Sequence, residues 1–316
     1  MSKIYFGEVF ESGFNIWKNN LVICVPFILS IVISLAVAFV TIFLTVYLTI
    51  LPSLNNFSYS MASVTSTNMF SQISNAFLQN ILIFILVIIV LSIILGLINS
   101  FFSAGAIGMA KEAIQNGSTN LSHMIEYGRK KFLSFFGVSL LVSLIMAVGI
   151  LFLIPAFINL SSLNIADFTS SNFLFSGVTT QFSSGLFSTL ILLLVGVVLM
   201  GIYMLVMSIV LALVTYSVVL DDLKAIPGFK KGIKVFLGDK LNVFLIWLIV
   251  LGFGILFGIL QNALAVIPLV GSIIGLIITA VILSPLTAIW WSKLYLSITR
   301  NEYTKPSGEN IKIQTE

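Results

Sequence analysis

All 15 lysines and arginines of this chain fall in four short stretches, 1–20, 111–132, 221–240 and 293–316. Three long blocks separate them, and the only ionised side chain in those blocks is Asp167. A charge at the centre of a bilayer costs about 2.5–3.5 kcal/mol on insertion scales, so a membrane chain gathers its charges at the ends of its spans. The composition agrees: 59% of the residues are hydrophobic and 8% charged, where soluble domains carry about 25% charged residues. Mean hydropathy is +1.16. The net charge of +4 reads as positive-inside excess and not as a nucleic-acid surface. The single cysteine, Cys24, excludes an intramolecular disulfide, and the single histidine, His123, leaves no cluster of the kind that binds zinc.

The blocks divide into six apolar runs. Leu21–Ile50 and about 76–110 flank a Ser/Asn/Thr/Phe loop, 52–75. Phe132–Leu160 and Gly185–Leu220 flank a second polar loop, 161–184, whose one charged residue is Asp167. Leu241–Ile267 and Gly271–Ser292 meet at a turn around Pro268. A bilayer core of about 30 Å needs about 20 helical residues, so each run is long enough to span. The first run is too long for a signal-peptide core of about 7–15 residues and reads as a true span. As one helix it would be about 45 Å long, which predicts protrusion past the outer surface or a break near Pro26. The fourth run raises the same expectation. Placing every basic stretch on the cytoplasmic side puts both termini inside and the two long loops outside, and the plasma membrane is the expected location.

Each block opens on a similar lead-in: Gly13-Phe-Asn-Ile-Trp17, Gly128-Arg-Lys-Lys-Phe132 and Gly232-Ile-Lys-Val-Phe236. Gly is followed four residues later by an aromatic, at offsets of 115 and 104 residues. This spacing suggests a duplicated unit, an interfacial helix plus a two-helix hairpin, used over about 4–110, 119–220 and 222–298. One membrane domain then fills 1–300, with 301–316 as a polar tail. Phe6, Val9, Phe10, Gly13, Phe14 and Trp17 recur at helical spacing, as do Ile226, Phe229, Ile233, Phe236 and Leu237. Such helices lie in the headgroup layer. Trp17, Arg129, Lys130, Lys131, Lys230, Lys231 and Lys234 are the candidate lipid-headgroup contacts, each cation worth about 1 kcal/mol near an anionic surface. A structural elbow that only positions the next span explains the same residues.

Two stretches carry a family likeness. One runs Ser103-Ala-Gly-Ala-Ile-Gly-Met-Ala-Lys-Glu-Ala-Ile with Met124-Ile-Glu-Tyr-Gly-Arg-Lys-Lys-Phe. The other runs Tyr216-Ser-Val-Val-Leu-Asp-Asp-Leu-Lys-Ala-Ile with Gly228-Phe-Lys-Lys-Gly-Ile-Lys-Val-Phe. They resemble a family of uncharacterised six-helix membrane proteins common in archaea. That family is similar to the membrane domain fused to some bacterial glycerophosphodiester phosphodiesterases. The resemblance implies a fold and a membrane location. It brings no activity, because the phosphodiesterase chemistry belongs to a separate soluble domain with paired His and several carboxylates, which this chain lacks.

No Asp, Glu, Lys, Arg or His falls at mid-depth in any run, which argues against a proton-coupled antiporter, a pump or a voltage sensor. The intramembrane polar candidates are amides: Asn99, about 18 Å along a helix from Lys111, and Gln261 with Asn262. They line a solute path or, more simply, make interhelical hydrogen bonds. Gly96, Ser100, Ala104 and Gly108 form a small-residue stripe, with Gly254 and Gly258, and Gly271 and Gly275, repeating it. Such stripes let helices approach closely, within one chain or between copies. Pro285 predicts a kink and a freed carbonyl in the last span. Asp221 is placed to cap the helix that follows it. Glu112 and Glu126 are expected to pair with Arg129 at the surface, and His123 to be solvated. The outer loops, with Asp167 their one carboxylate, suit an exterior of low or variable pH. Asn56 and Asn159 stand in glycosylation sequons.

The reading is an all-α polytopic membrane protein of six spans. It has no cofactor and no nucleic-acid partner, with lipids, a protein partner or a second copy as its contacts. A scaffold or accessory role leads, a small-solute or lipid transporter or channel is the alternative, and a membrane-embedded enzyme comes third.

Overall fold

A computed structural model describes residues 6–49, 78–161, 180–267 and 270–304, and these are helical apart from short turns. The helices are α1 (Phe6–Asn19), α2 (Val25–Thr49), α3 (Ile81–Asn116), α4 (Leu121–Ala147), α5 (Ile154–Ser161), α6 (Thr180–Val210), α7 (Val214–Leu220), α8 (Ala225–Gly238), α9 (Lys240–Leu264), α10 (Val270–Ile278) and α11 (Ser284–Thr304). Among the described residues, six helical segments are long and apolar enough to cross a membrane: Leu21–Thr49, Ile81–Asn116, Leu121–Leu160, Phe187–Leu220, Lys240–Leu264 and Val270–Thr299.

Three of the breaks in the apolar runs have a proline at hand; the one in the fourth run does not. The first run tightens to a 3-10 turn, Leu21–Cys24, and becomes α-helical at Val25, with Pro26 in the first turn of α2 where its missing N–H is harmless. The third run tightens at Val148–Leu153, two residues before Pro155. The carbonyl of Ile145, at the start of that tightening, accepts the hydroxyl of Tyr203 at 2.6 Å. The fourth run opens at residues 211–213 between α6 and α7. The last run widens to a π-turn, Thr279–Leu283, directly before Pro285. Helix α11 continues to Thr304, past the start expected for the tail. Residues 52–75 and 162–179 of the two expected loops, Asn56 among them, and the turn at Pro268 lie outside the described residues, whereas Ser161 ends α5, 180–184 open α6 and Asn159 lies within α5.

Burial is concentrated at one end. The largest fully buried side chains include Trp290, Tyr295, Met109, Leu213, Val214, Val218, Ile246 and Ile289. No residue is buried in α2 from Phe27 to Leu48, in α3 from Ile81 to Asn99, or in α9 from Trp247 to Leu264. Those stretches present side chains such as Leu82 (77% exposed) and Phe39 (71%). Each would be about 1.5–3 kcal/mol worse off in water than buried in an apolar phase. A bilayer is the medium that removes this penalty for dozens of them together.

At the exposed end the helices meet in pairs: α2 with α3, α5 with α6, and α9 with α10. Backbones come close in the last two pairs. A Cβ on Gly196 would lie 2.5 Å from the Phe152 carbonyl oxygen, and one on Gly271 just 1.7 Å from that of Leu264. At the buried end α3 packs along α4, α7 against α8 and α4, and α1 against α11.

Two of the three lead-ins are separate helices. α1 ends at Asn20 (φ −134°, ψ 55°) and α8 at Asp239 (φ −146°, ψ 61°), each seven residues after its lead-in glycine. In the middle lead-in the corresponding residue is Phe135, and α4 runs straight through it. The first and third lead-ins are thus short separate helices, and the middle one is part of α4. At the first break the Asn20 side chain takes up the Ile16 carbonyl.

Candidate functional site

The buried end is held by a connected polar layer, built where α3 and α4 cross. Gly108 lets Tyr127 lie flat against α3, since a Cβ there would fall 2.2 Å from the Tyr127 ring. The Tyr127 hydroxyl donates to Glu112 Oε1 at 2.8 Å, and Lys111 Nζ sits 5.7 Å above the same ring. Lys111 Nζ also donates to the Leu220 carbonyl at 3.0 Å, at the C-terminus of α7. A cation at that terminus meets carbonyls that the helix leaves unpaired.

The turn after α7 carries the two acids. Asp222 has φ 58°, the one positive φ outside glycine among the described residues. This left-handed turn aims the two carboxylates at different partners. Asp221 Oδ2 accepts from Tyr295 of α11 and from Lys231 of α8, both at 2.5 Å. Asp222 pairs with Lys130 at 2.8 Å and Lys131 at 2.5 Å, and Lys131 Nζ also reaches the Leu223 carbonyl at 3.3 Å. The Lys130 and Lys131 ammonium groups hold the Asp222 carboxyl below the usual carboxylate range. Asp221 does not cap α8: the residue before that helix is Lys224, which makes no side-chain cap. The carboxylate is taken instead by a tyrosine and a lysine from other helices, which no local pattern announces.

Asn20 ties the first lead-in to the α3–α4 turn. It is buried, its Nδ2 donates to Ile16 O (3.1 Å) and Gly117 O (3.2 Å), and its Oδ1 accepts from Thr119 N (3.1 Å). Lys293 of α11 donates to Ser12 of α1. Contacts therefore join residues of all four basic stretches at one end of the molecule. His123 is half-buried, with its backbone N–H on the Asn120 cap at 3.2 Å and its Nδ1 3.3 Å from Thr119 Oγ1. Glu112 accepts from Tyr127 and, at 2.7 Å, from Asn116, and forms no ion pair with Arg129 among the described residues.

The headgroup candidates separate into two groups. Lys131 is 6% exposed and held by Asp222, Lys130 shares that carboxylate, and Lys231 is held by Asp221. Trp17 is half-buried and its indole donates to the Val281 carbonyl at 2.9 Å, inside the protein. Arg129, Lys230 and Lys234 are exposed.

The amides are not brought together. Asn99 is exposed and its Oδ1 accepts from Ser103 on its own helix at 3.3 Å. Gly96 faces Phe136, Gly105 faces Met124, and Gly128 faces Phe101. In that antiparallel register the backbone of Asn99 stands level with Lys130 and Lys131. Asn262 donates to Gly258 O on its own helix at 2.8 Å. Gln261 lies under Gly275 and packs beside Phe257, Leu260, Leu264, Ile278 and Thr279, with no room among them for a water molecule.

The small-residue stripe of α3 packs inside the chain. Gly96 meets Phe136, Gly108 meets Tyr127, Ala104 is fully buried, and Ser100 Oγ donates to Gly96 O at 2.7 Å. Gly254 and Gly258 have nothing within 4 Å of a Cβ. A further pair lies in Gly228-Phe-Lys-Lys-Gly232. A Cβ on Gly228 would fall 2.4 Å from Val218 Cγ2, and one on Gly232 just 2.5 Å from Val214 Cα. Ser217 Oγ donates to Gly228 O at 2.5 Å and completes the seat of α8 on α7. The four-residue glycine spacing was the available signal for this contact.

No solved structure matches the chain. An uncharacterized protein of Archaeoglobus fulgidus is 22% identical over 314 residues, covering 95% of this chain and 98% of that protein. A domain of unknown function, DUF7847, matches residues 47–299, from the end of α2 through most of α11. The chain belongs to the DUF7847 family.

Proposed function

We propose that this protein is a non-catalytic membrane scaffold or accessory protein, acting through anionic lipids at its cytoplasmic end. All six apolar segments cross the plasma membrane, with both termini and the polar layer inside. The observation that carries this reading is the division among the cations. Lys131 and Lys231 are consumed by Asp222 and Asp221. Arg129, Lys230 and Lys234 stay exposed on α4 and α8, two helices that pack together at Gly137 and Ala225. Exposed cations beside apolar spans suit phosphate headgroups. A protein partner is a further contact of that surface.

A threefold hairpin repeat underlies the architecture. Its support is that the lead-in glycines Gly13, Gly128 and Gly232 all sit where a Cβ would clash, at 2.5, 2.9 and 2.5 Å from its nearest neighbour. Native mass spectrometry of the protein from nanodiscs of mixed anionic and zwitterionic lipid tests the lipid reading. Anionic lipid should co-purify in excess and fall to the nanodisc ratio in Arg129→Gln/Lys230→Gln/Lys234→Gln. Equal retention by that variant contradicts it.

The alternative is passage of a small solute or lipid. The polar side chains of Gln261 and Thr279, close together beside a π-turn, favour it. Flux in proteoliposomes, lost on Gln261→Leu, would establish that reading in place of the first.

A further inference from the structure

Pro285 has no N–H, so the carbonyl four residues earlier, that of Val281, has no α-helical donor. The helix widens there to the π-turn Thr279–Leu283. The freed carbonyl is not left bare. It accepts Trp17 Nε1 at 2.9 Å, from the first lead-in, and Cys24 Sγ at 3.1 Å, from the 3-10 turn that follows α1. The indole is the stronger donor of the two. Trp17 reaches Val281 because α1 lies along α11. Phe10 stacks on Trp290 with centroids 4.9 Å apart, Gly13 crosses the same indole closely, and Ser12 accepts from Lys293.

We infer that α1 is a latch on a hinge in the last span. Seated, it supplies the hydrogen bond that Pro285 removes and fixes the angle between α10 and α11. Unseated, it leaves the Val281 carbonyl with only a thiol, and the turn rearranges so that α10 swings relative to α2. Each of the two states carries a cost. The unseated state under-satisfies Val281. The seated state leaves the Trp290 indole N–H, 1% exposed, with no hydrogen-bond partner. Trp17 and the 45%-exposed Phe14, with ring centroids 5.4 Å apart, have a second favourable place, since aromatic side chains settle at a membrane surface. A helix that can sit on the protein or on the lipid, and that controls a bend by one hydrogen bond, is a two-state element of the kind that switching requires.

The test uses the full chain in nanodiscs, in a Cys24→Ser background that keeps a donor at that position. Spin labels at Leu35 and Ile273, both exposed, report the hinge. A second pair at Asn15 and Gln115, also exposed, reports the seat of α1. Trp17→Phe keeps the ring and deletes the donor. Gly13→Leu pushes α1 off Trp290. Both should add a second maximum to the Leu35–Ile273 distance distribution, and Gly13→Leu should also broaden the Asn15–Gln115 distribution. Pro285→Ala returns an intrahelical donor to Val281, so Gly13→Leu in that background should leave a single Leu35–Ile273 maximum. An unchanged Leu35–Ile273 distribution while α1 moves in Gly13→Leu overturns the latch. A second maximum that persists in Gly13→Leu/Pro285→Ala overturns the role of the freed carbonyl.

Discussion

Gly232→Ala adds one methyl group at the closest crossing of α8 over α7. Its Cβ would lie 2.5 Å from Val214 Cα, 2.9 Å from Val214 N and 3.0 Å from Val214 Cγ2. Two of these are backbone atoms inside a helix, so no rotamer change relieves them. α8 must lift by about 1 Å to restore van der Waals contact. Overpacking of this kind costs about 1–3 kcal/mol. The lift also strains the bond from Ser217 Oγ to Gly228 O, which is buried, adding about 0.5–1.5 kcal/mol. The expected loss is about 2–4 kcal/mol. Gly252→Ala is the matched control, in α9 with nothing within 4 Å of the new Cβ. Thermal unfolding of both variants in one mild detergent, followed by tryptophan fluorescence, separates them. Gly232→Ala should unfold well below wild type and Gly252→Ala with it. Equal midpoints for all three would refute the close crossing of α7 and α8.

Asn20→Ala deletes three side-chain hydrogen bonds from a buried position, a loss of about 2–4 kcal/mol. Hydrogen exchange should accelerate first at residues 117–120. Asp222→Asn keeps a residue that tolerates the left-handed turn and removes the charge. The Asp222 carboxyl is held low by Lys130 and Lys131, so its contribution is present at neutral pH and disappears as pH falls through its folded value. The stability gap between wild type and Asp222→Asn, read as melting temperature from pH 7 downward, should therefore close in the acid carboxylate range and not open. Gly254→Ile/Gly258→Ile places bulk in open space. It should leave monomer unfolding unchanged while reducing any self-association seen by native mass spectrometry.

Charge made the helical class legible in the sequence, because confining ionised groups to four stretches leaves no other economical fold for the apolar blocks. Proline and glycine marked the breaks at Cys24–Val25 and Thr279–Leu283. Depth was harder to read. Lys111 looks like the end of a span, yet α3 continues with its last turns packed on α4, and its ammonium leans back to Leu220. Pairwise chemistry was hardest, because Asp221 with Tyr295 and Trp17 with Val281 join residues 74 and 264 apart in sequence. Spacing within a single helix carries no trace of such pairs. Even the stripes looked alike on the page, although Gly108 closes on Tyr127 and Gly258 on nothing.

The central claim is that the four basic stretches meet at one cytoplasmic end, with the outer loops across the membrane. Single cysteines at Ser118, Ser307, Ser66 and Ser176, introduced one at a time into a Cys24→Ala chain, test it with a membrane-impermeant maleimide on intact cells. The account predicts labelling of Ser66→Cys and Ser176→Cys at once, and of Ser118→Cys and Ser307→Cys only after permeabilisation. Labelling of Ser118→Cys or Ser307→Cys in intact cells would contradict it.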